Sequence, residues 1–245
     1  MRILLANANT TEAVTQACAA AARQAASPGT EILPVTARFG AHVIATRVEN
    51  AIAAHAVLDC LAEHHAGCDA AILAVSYDTG LDAARQLLPM PVLGMTEAAC
   101  LVACTQATRF GLVTFNQAGV FQSLVASHGL ASRFSGVQLT GGAATEMFTD
   151  PEGMSARVVA ACERCVADGA EAVVLAGAVF AGLAGRLQPR AGVPLLDGIA
   201  CATVLAEALV RLGLKRPTQG SLAAVPRETV GLAGPLAGLL RGHGQ

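Results

Sequence analysis

The chain resembles itself at a constant offset. Residues 67–81 and 169–183 align without a gap, 102 positions apart. Each run opens on a glycine, carries an acid two residues later (Asp69, Glu171) and passes through Leu-Ala (Leu73 and Ala74, Leu175 and Ala176). Each then closes on Gly-Leu (Gly80 and Leu81, Gly182 and Leu183). After one inserted residue, Pro91, Val92, Leu93 and Gly94 answer Pro194, Leu195, Leu196 and Asp197. The start of the chain, residues 3–7, answers residues 111–115. Parallel strands share Val- and Leu-rich runs by chance, but shared Gly-Leu and shared proline do not follow from that composition. A period near 100 residues is too long for a solenoid and means two similar lobes.

Each lobe reads as α/β. Short Val/Ile/Leu runs alternate with alanine-rich stretches of helical period, the pattern of strands joined by helical crossovers into a parallel sheet. Strands are expected over 2–6, 31–35, 70–75, 92–95, 110–114, 136–139, 172–176 and 193–196. Helices are expected over 11–25, 49–64, 82–88, 97–105, 118–127, 155–168 and 200–212. Thr10 or Thr11 can cap the first helix, and Asp150, Pro151 and Glu152 form a helix start. The fold class is therefore α/β, with two pseudo-symmetric Rossmann-like lobes. The first spans about 1–95 plus a return and tail over 197–245, and the second spans 96–196. The tail from 215 is rich in Gly and Pro. Its apolar segment 232–240 is expected to pack on a lobe or on a neighbouring subunit.

Composition narrows the function classes. Hydrophobic residues make up 53% and charged residues 14%, so the chain is rich in core. The net charge is −2 with no basic run, which recommends no nucleic-acid partner. No apolar run reaches the roughly 18 residues of a membrane span, and the start is too short for a leader, so a cytoplasmic location is expected. Eight cysteines fall mostly in helical patterns, where buried, reduced thiols are expected. Cys162 and Cys165 form a Cys-x-x-Cys pair inside a helical run rather than at a helix-opening loop. His64 and His65 end a helix before Gly67. Both pairs read as structural, and no motif implies a metal or organic cofactor.

In open parallel sheets, ligands lie outside the carboxyl ends of the strands. Two lobes facing each other would enclose a pocket there. The segments to watch are 7–10, 75–80, 114–116 and 177–182.

Those strand ends carry a resemblance. Asn7, Ala8, Asn9, Thr10 and Thr11 resemble the Asn-Pro-Asn-Thr/Ser opening of hydantoin and allantoin racemases. Asp78, Thr79, Gly80, Leu81, Asp82, Ala83, Ala84 and Arg85 resemble their Asp-Pro-Gly-Leu-Asp-Ala-Ala-Arg stretch. Segments 36–40, 97–99, 130–133 and 193–198 are similar as well, and the likeness runs from Met1 to about Gly220. The chain is thereby identified as a member of the aspartate/glutamate/hydantoin racemase superfamily. The resemblance implies a cofactor-independent enzyme, a small substrate with a carboxylate or cyclic ureide, and a homo-oligomer. It also implies a cysteine ending one core strand in each lobe. One thiol takes the proton from a carbon α to a carbonyl, and the other returns one from the opposite face. Laid on this sequence, those positions are Val75 and Gly177, 102 apart like the repeat itself. Neither side chain can move a proton.

Other residues must then carry any chemistry. Tyr77 is the only tyrosine. A phenol with a reference pKa near ~10 suits a proton donor. It can equally pack its ring with its hydroxyl on the backbone, and both readings stand at this point. Ser76 lacks an evident activating histidine, and no Gly-x-Ser-x-Gly elbow exists. Asp78 is expected to cap the turn or orient Tyr77. Asn7, Asn9 and Thr10 form a polar loop at a helix N-terminus suited to a carboxylate or ureide carbonyl. Thr114 holds the equivalent turn, followed by Phe115 and Asn116. With Ala178 and Val179 these residues make a partly apolar substrate site. A relative that decarboxylates aryl-substituted malonates with one cysteine as proton donor shows that such a pocket needs a proton on one face only. A shell that binds a small acid without turnover is the competing class.

Overall fold

The computed structural model describes residues 1–115, 117–214 and 216–242. The first half runs β1 (Arg2–Asn7), α1 (Glu12–Ala25), β2 (Glu31–Thr36), α2 (Arg47–His64), β3 (Ala70–Leu73), α3 (Leu81–Leu87), β4 (Val92–Gly94) and α4 (Met95–Gln106). The second runs β5 (Phe110–Thr114), α5 (Ala118–Ser127), β6 (Phe134–Leu139), α6 (Glu146–Thr149), α7 (Pro151–Ala167), β7 (Ala172–Leu175), α8 (Leu183–Leu187), β8 (Leu195–Asp197) and α9 (Gly198–Leu212). A last helix, α10 (Gly234–Leu240), ends the described chain. The strands form two four-stranded parallel sheets, β2-β1-β3-β4 and β6-β5-β7-β8, with the same order.

The central strands β3, β5 and β7 are buried at every position. That is what near-continuous apolar runs require when helices cover both faces of a sheet. The edge strands β2 and β6 are partly exposed. β2 carries Pro34, which an edge tolerates because one side of the strand needs no N–H donor.

Register settles the equivalence of the halves. Ile3 pairs with Ala70 and Phe110 with Ala172, so Ile3 corresponds to Phe110 and Asn7 to Thr114. Residues 3–7 therefore answer 110–114, one residue earlier than the expected 111–115. The sequence signal slipped because apolar residues fill both faces of these strands and leave no alternation to fix the register. The shared Gly-Leu has a conformational cause. Gly80 and Gly182 adopt φ +77° and +78° at the starts of α3 and α8, a left-handed turn that favours glycine.

The last helix of each half lies against the other half's sheet. α4 packs on β7, and α9 packs on β3, on α1 and along α4 itself. Ile199, Ala202 and Ala206 of α9 share a core with Ile3, Leu5 and Met95, while Ala99, Cys100 and Ala103 of α4 share one with Phe110, Leu112 and Val174. The close approach is visible at Gly198, where a Cβ would lie 2.8 Å from the Met95 carbonyl. The segment at 232–240 is α10, which packs on α2. No helix among the described residues is long and apolar enough to cross a membrane.

Caps fix the helix starts, ahead of the expected residue 49 in α2 and at the expected Asp150, Pro151 and Glu152 signal in α7. α2 begins at Arg47, because Thr46 and Glu49 form a reciprocal capping box. α7 begins at Pro151, with the Asp150 side chain accepting from the Gly153 N–H. Thr11 holds the N-cap position of α1 but does not cap it with its side chain; its hydroxyl donates to the His42 carbonyl at 2.8 Å.

Candidate active site

A cavity of about 380 Å³ lies outside the carboxyl ends of both sheets. The first lobe contributes Asn9 and Thr11 after β1, His42 to Ala45 after β2, and Val75, Ser76 and Tyr77 after β3. The second contributes Thr114 and Phe115 from β5, Ala143 to Thr145 with Phe148 after β6, and Gly177 to Val179 after β7. Loops of matching position in the two sheets thus face one another, as expected of ligand sites in open parallel sheets. A larger cavity of about 550 Å³ lies between α2, α3 and the tail, away from every strand end.

Most of the expected site residues meet in this cavity: Asn9, Val75, Ser76, Tyr77, Thr114, Phe115, Gly177, Ala178 and Val179. Three do not reach it. Asn7 is fully buried beneath the first loop. Its Nδ2 donates to Asn9 Oδ1 at 3.0 Å and to Thr15 Oγ1 at 2.9 Å, and its Oδ1 accepts from the Asn9 N–H. Asn7 therefore shapes the loop that Asn9 presents. Thr10 turns toward the β2 loop and meets His42 Nδ1 at 2.9 Å. Asp78 points away from the cavity and accepts from the N–H groups of Thr96 at 3.0 Å and Glu97 at 2.7 Å, at the start of α4. Asn116 lies outside the described residues.

The residues around Val75 and Gly177 differ in kind. Val75 is buried among Leu73, Val57 and Leu81. Gly177 has extended backbone, open to any residue, but its side-chain space is taken. A Cβ there would lie 2.9 Å from Phe180 Cδ2 and 3.0 Å from Phe115 Cε2. Those two rings stack at 4.3 Å with planes 19° apart. None of the eight cysteines lines the cavity. Cys18 lies behind its wall and donates to the Ala178 carbonyl, and burial pushes its thiol up to about 12. Burial likewise pushes Cys162 up to about 12 and Cys165 up to about 11, within the second lobe's core. Among the described residues no His, Cys, Asp and Glu side chains gather in a group that would hold a metal ion.

Tyr77 is 9% exposed, and its ring meets Phe121 edge-on at 5.2 Å. Burial, with the Glu49 carboxylate behind it, raises the phenol above its ordinary value. Its hydroxyl makes no hydrogen bond to the backbone among the described residues. The cavity thus holds hydroxyl and amide groups on the first-lobe side, from Asn9, Thr11, Ser76 and Tyr77. Its opposite wall is rich in apolar side chains, from Phe115, Phe121, Phe148 and Val179.

A family model for Asp/Glu/hydantoin racemases matches residues 3–206. The chain belongs to the Asp/Glu/hydantoin racemase family. The family's hydantoin racemase from Pseudomonas sp. (strain NS671) is 32% identical over 219 residues, covering 88% of each chain. The allantoin racemase from Klebsiella pneumoniae superposes with a TM-score of 0.89 at 35% identity, covering 98% of both chains. Arylmalonate decarboxylase, at 18% identity and a TM-score of 0.60 over 91% of this chain and 98% of the other, shares the fold.

The residues that sequence reasoning missed come mostly from the crossovers after β2 and β6, including the short helix α6. His42 to Ala45, Ala143 to Thr145 and Phe148 carry no periodic signal, and only the pairing of equivalent loops would have pointed to them. Phe121 was hidden as an ordinary core residue of α5.

Proposed function

We propose that this racemase-family protein is a cofactor-independent enzyme acting at or next to the carbon α to a carbonyl, in a small carboxylate or cyclic ureide. In this reading Val75 and Gly177 stand where the family's thiols would, and the proton chemistry runs on one face only. Tyr77 is the proton donor. The observation that carries the reading is a buried phenol on the cavity wall, two residues beyond Val75, in a cavity that no thiol lines.

The chemistry asks little of the pocket. When the bond to the α carbon breaks, its electron pair remains on that carbon and delocalises into the neighbouring carbonyl. A departing carboxylate leaves as carbon dioxide, and a departing α proton is taken by the minor phenolate form of Tyr77, which exchanges it with water. The Asn9 amide and the N-terminal end of α1 offer donors for the developing oxyanion. The Tyr77 O–H then supplies a proton to the carbon, and the phenolate recovers one from water. The raised phenol remains protonated near neutrality, as a donor requires. In the second lobe Phe115 lines the cavity with Phe180 stacked against it, so apolar rings stand where the family's second thiol would return a proton. The apolar wall disfavours a carboxylate placed against it, which favours loss of that group over its retention.

Replacing Tyr77 by Phe tests this directly, with hydantoins, amino-acid carboxylates and substituted malonates as substrates. Turnover is expected to fall at least about a hundredfold, the usual contribution of a positioned acid. Undiminished turnover makes Tyr77 a packing residue and ends the proposal. Binding of these compounds without turnover by the unmodified protein favours a small-acid binding protein, for which the filled space at Gly177 is the supporting observation.

A further inference from the structure

His128 follows the last residue of α5, and its imidazole is inserted between two carboxylates, one from the turn after Tyr77 and one from the start of α4. Its Nε2 lies 3.4 Å from Asp78 Oδ2 and its Nδ1 3.5 Å from Glu97 Oε1. The His128 side chain is 12% exposed and that of Asp78 fully buried. At these distances the attraction is a through-space ion pair rather than a short charge-assisted bond. Nε2 is buried without an aligned hydrogen bond. Glu97 is also gripped by Arg85, through Nη1 to Oε1 at 3.0 Å and Nη2 to Oε2 at 2.5 Å. Asp82 lines the same crevice. Asp78 and Glu97 together face one guanidinium, so a neutral imidazole leaves negative charge unbalanced in a poorly solvated place.

The same helix touches Tyr77. Phe121 precedes His128 by two turns of α5, on the same face, and its ring packs edge-on against the Tyr77 ring. Asp78 is the next residue after Tyr77 and has φ +48°, a left-handed conformation that a non-glycine residue adopts at a cost. Its carboxylate is held by the start of α4 and by His128. The turn bearing Tyr77 is thus gripped from α4 on one side and from α5 at two points on the other.

We propose that His128 is a positioning residue for Tyr77: with Asp78 and Glu97 it clamps the Tyr77 turn to α5 when the imidazole is charged and releases it when neutral. The placement of Tyr77 comes from geometry alone; only the catalytic consequence rests on the function proposed above. Although burial opposes charge on His128, Asp78 and Glu97 outweigh it and hold the imidazole above its ordinary value, while Arg85 works against them. The clamp therefore stays closed to a higher pH than an ordinary imidazole would hold it.

Tyr77 is the only tyrosine and the chain has no tryptophan, so near-ultraviolet circular dichroism in the tyrosine band reports this one side chain. In the unmodified protein the band is expected to change in a single step as pH rises above the ordinary imidazole value near ~6.5, in parallel with the His128 ring protons in NMR. In His128→Gln the step is lost and the band rests at its high-pH level. In Glu97→Gln the midpoint moves to lower pH, because a carboxylate that favours the charged ring is gone. A band that stays flat while His128 titrates overturns the proposal, as does a step that survives His128→Gln. Should the glutamine variant at 128 not fold, an unshifted midpoint in Glu97→Gln overturns it instead. The readout is optical, so the clamp and the proton-donor role of Tyr77 can fail separately.

Discussion

The carboxylate of Asp78 occupies the space that a side chain on Gly94 would need: a Cβ at position 94 would lie 2.3 Å from Asp78 Cγ. In the second sheet the position equivalent to Gly94 is Asp197, whose own carboxylate accepts from the N–H groups of Ile199 and Ala200. In the first, Asp78 reaches across from the β3–α3 loop to the equivalent N–H groups of Thr96 and Glu97. The two halves cap matching helix starts with carboxylates drawn from different strand ends. Position 180, the counterpart of Asp78, is accordingly free to be phenylalanine, and that ring fills the side-chain space at Gly177.

This arrangement predicts an intragenic rescue. Asp78→Ala leaves the start of α4 uncapped and should cost about 1–2 kcal/mol. Gly94→Asp alone should also destabilise, because its side chain meets the Asp78 carboxylate. The double variant copies the second lobe's solution and should recover most of the loss. Urea denaturation measures all three, and a double variant no more stable than the worse single one would refute the equivalence.

Gly177 offers a second test. A cysteine there pushes into the stacked Phe115 and Phe180 rings, and overpacking of this kind typically costs about 1–3 kcal/mol. Shortening Phe115 to Thr should relieve much of it. With Val75→Cys added, the triple variant presents two thiols to one cavity and should racemise faster than the parent. Chiral chromatography of a single-enantiomer hydantoin reads the result. Equal destabilisation of Gly177→Cys with and without Phe115→Thr would show that the rings are not the obstacle.

His128 sets a pH dependence of stability whose sign follows from its raised value. Folding favours the protonated ring, so the stabilisation is complete below the unfolded value near ~6.5 and is lost as pH rises through the higher folded value. The difference in urea midpoint between the unmodified protein and His128→Gln should be largest at about pH 6 and shrink toward about pH 9. A difference that grows with pH would reverse the assigned direction.

The architecture was legible because it rests on backbone demands that few residues meet. Gly80 and Gly182 mark left-handed turns, and the buried strands read as unbroken apolar runs. That uniformity also hid the one-residue register of β1 against β5. The floor of the site was legible for the same reason, since Val75 and Gly177 follow matched strands. The walls were not. His42 comes from a crossover loop and Phe148 from the one-turn helix α6, neither long enough to show periodicity, and His128 is a lone histidine whose partners, Asp78 and Glu97, are remote in sequence. Asp78 was named with the substrate site on its place in the family-like stretch; its expected capping role fits the structure better, but the cap it makes is on α4.

The central claim is that proton chemistry in this pocket runs on one face, through Tyr77. Incubation of each enantiomer of a 5-substituted hydantoin in heavy water, followed by proton NMR and chiral chromatography, measures exchange and inversion together. Deuterium is expected to enter at the α carbon with retention of configuration and to cease entering in Tyr77→Phe. Racemisation at the rate of exchange, or exchange undiminished in Tyr77→Phe, would contradict it.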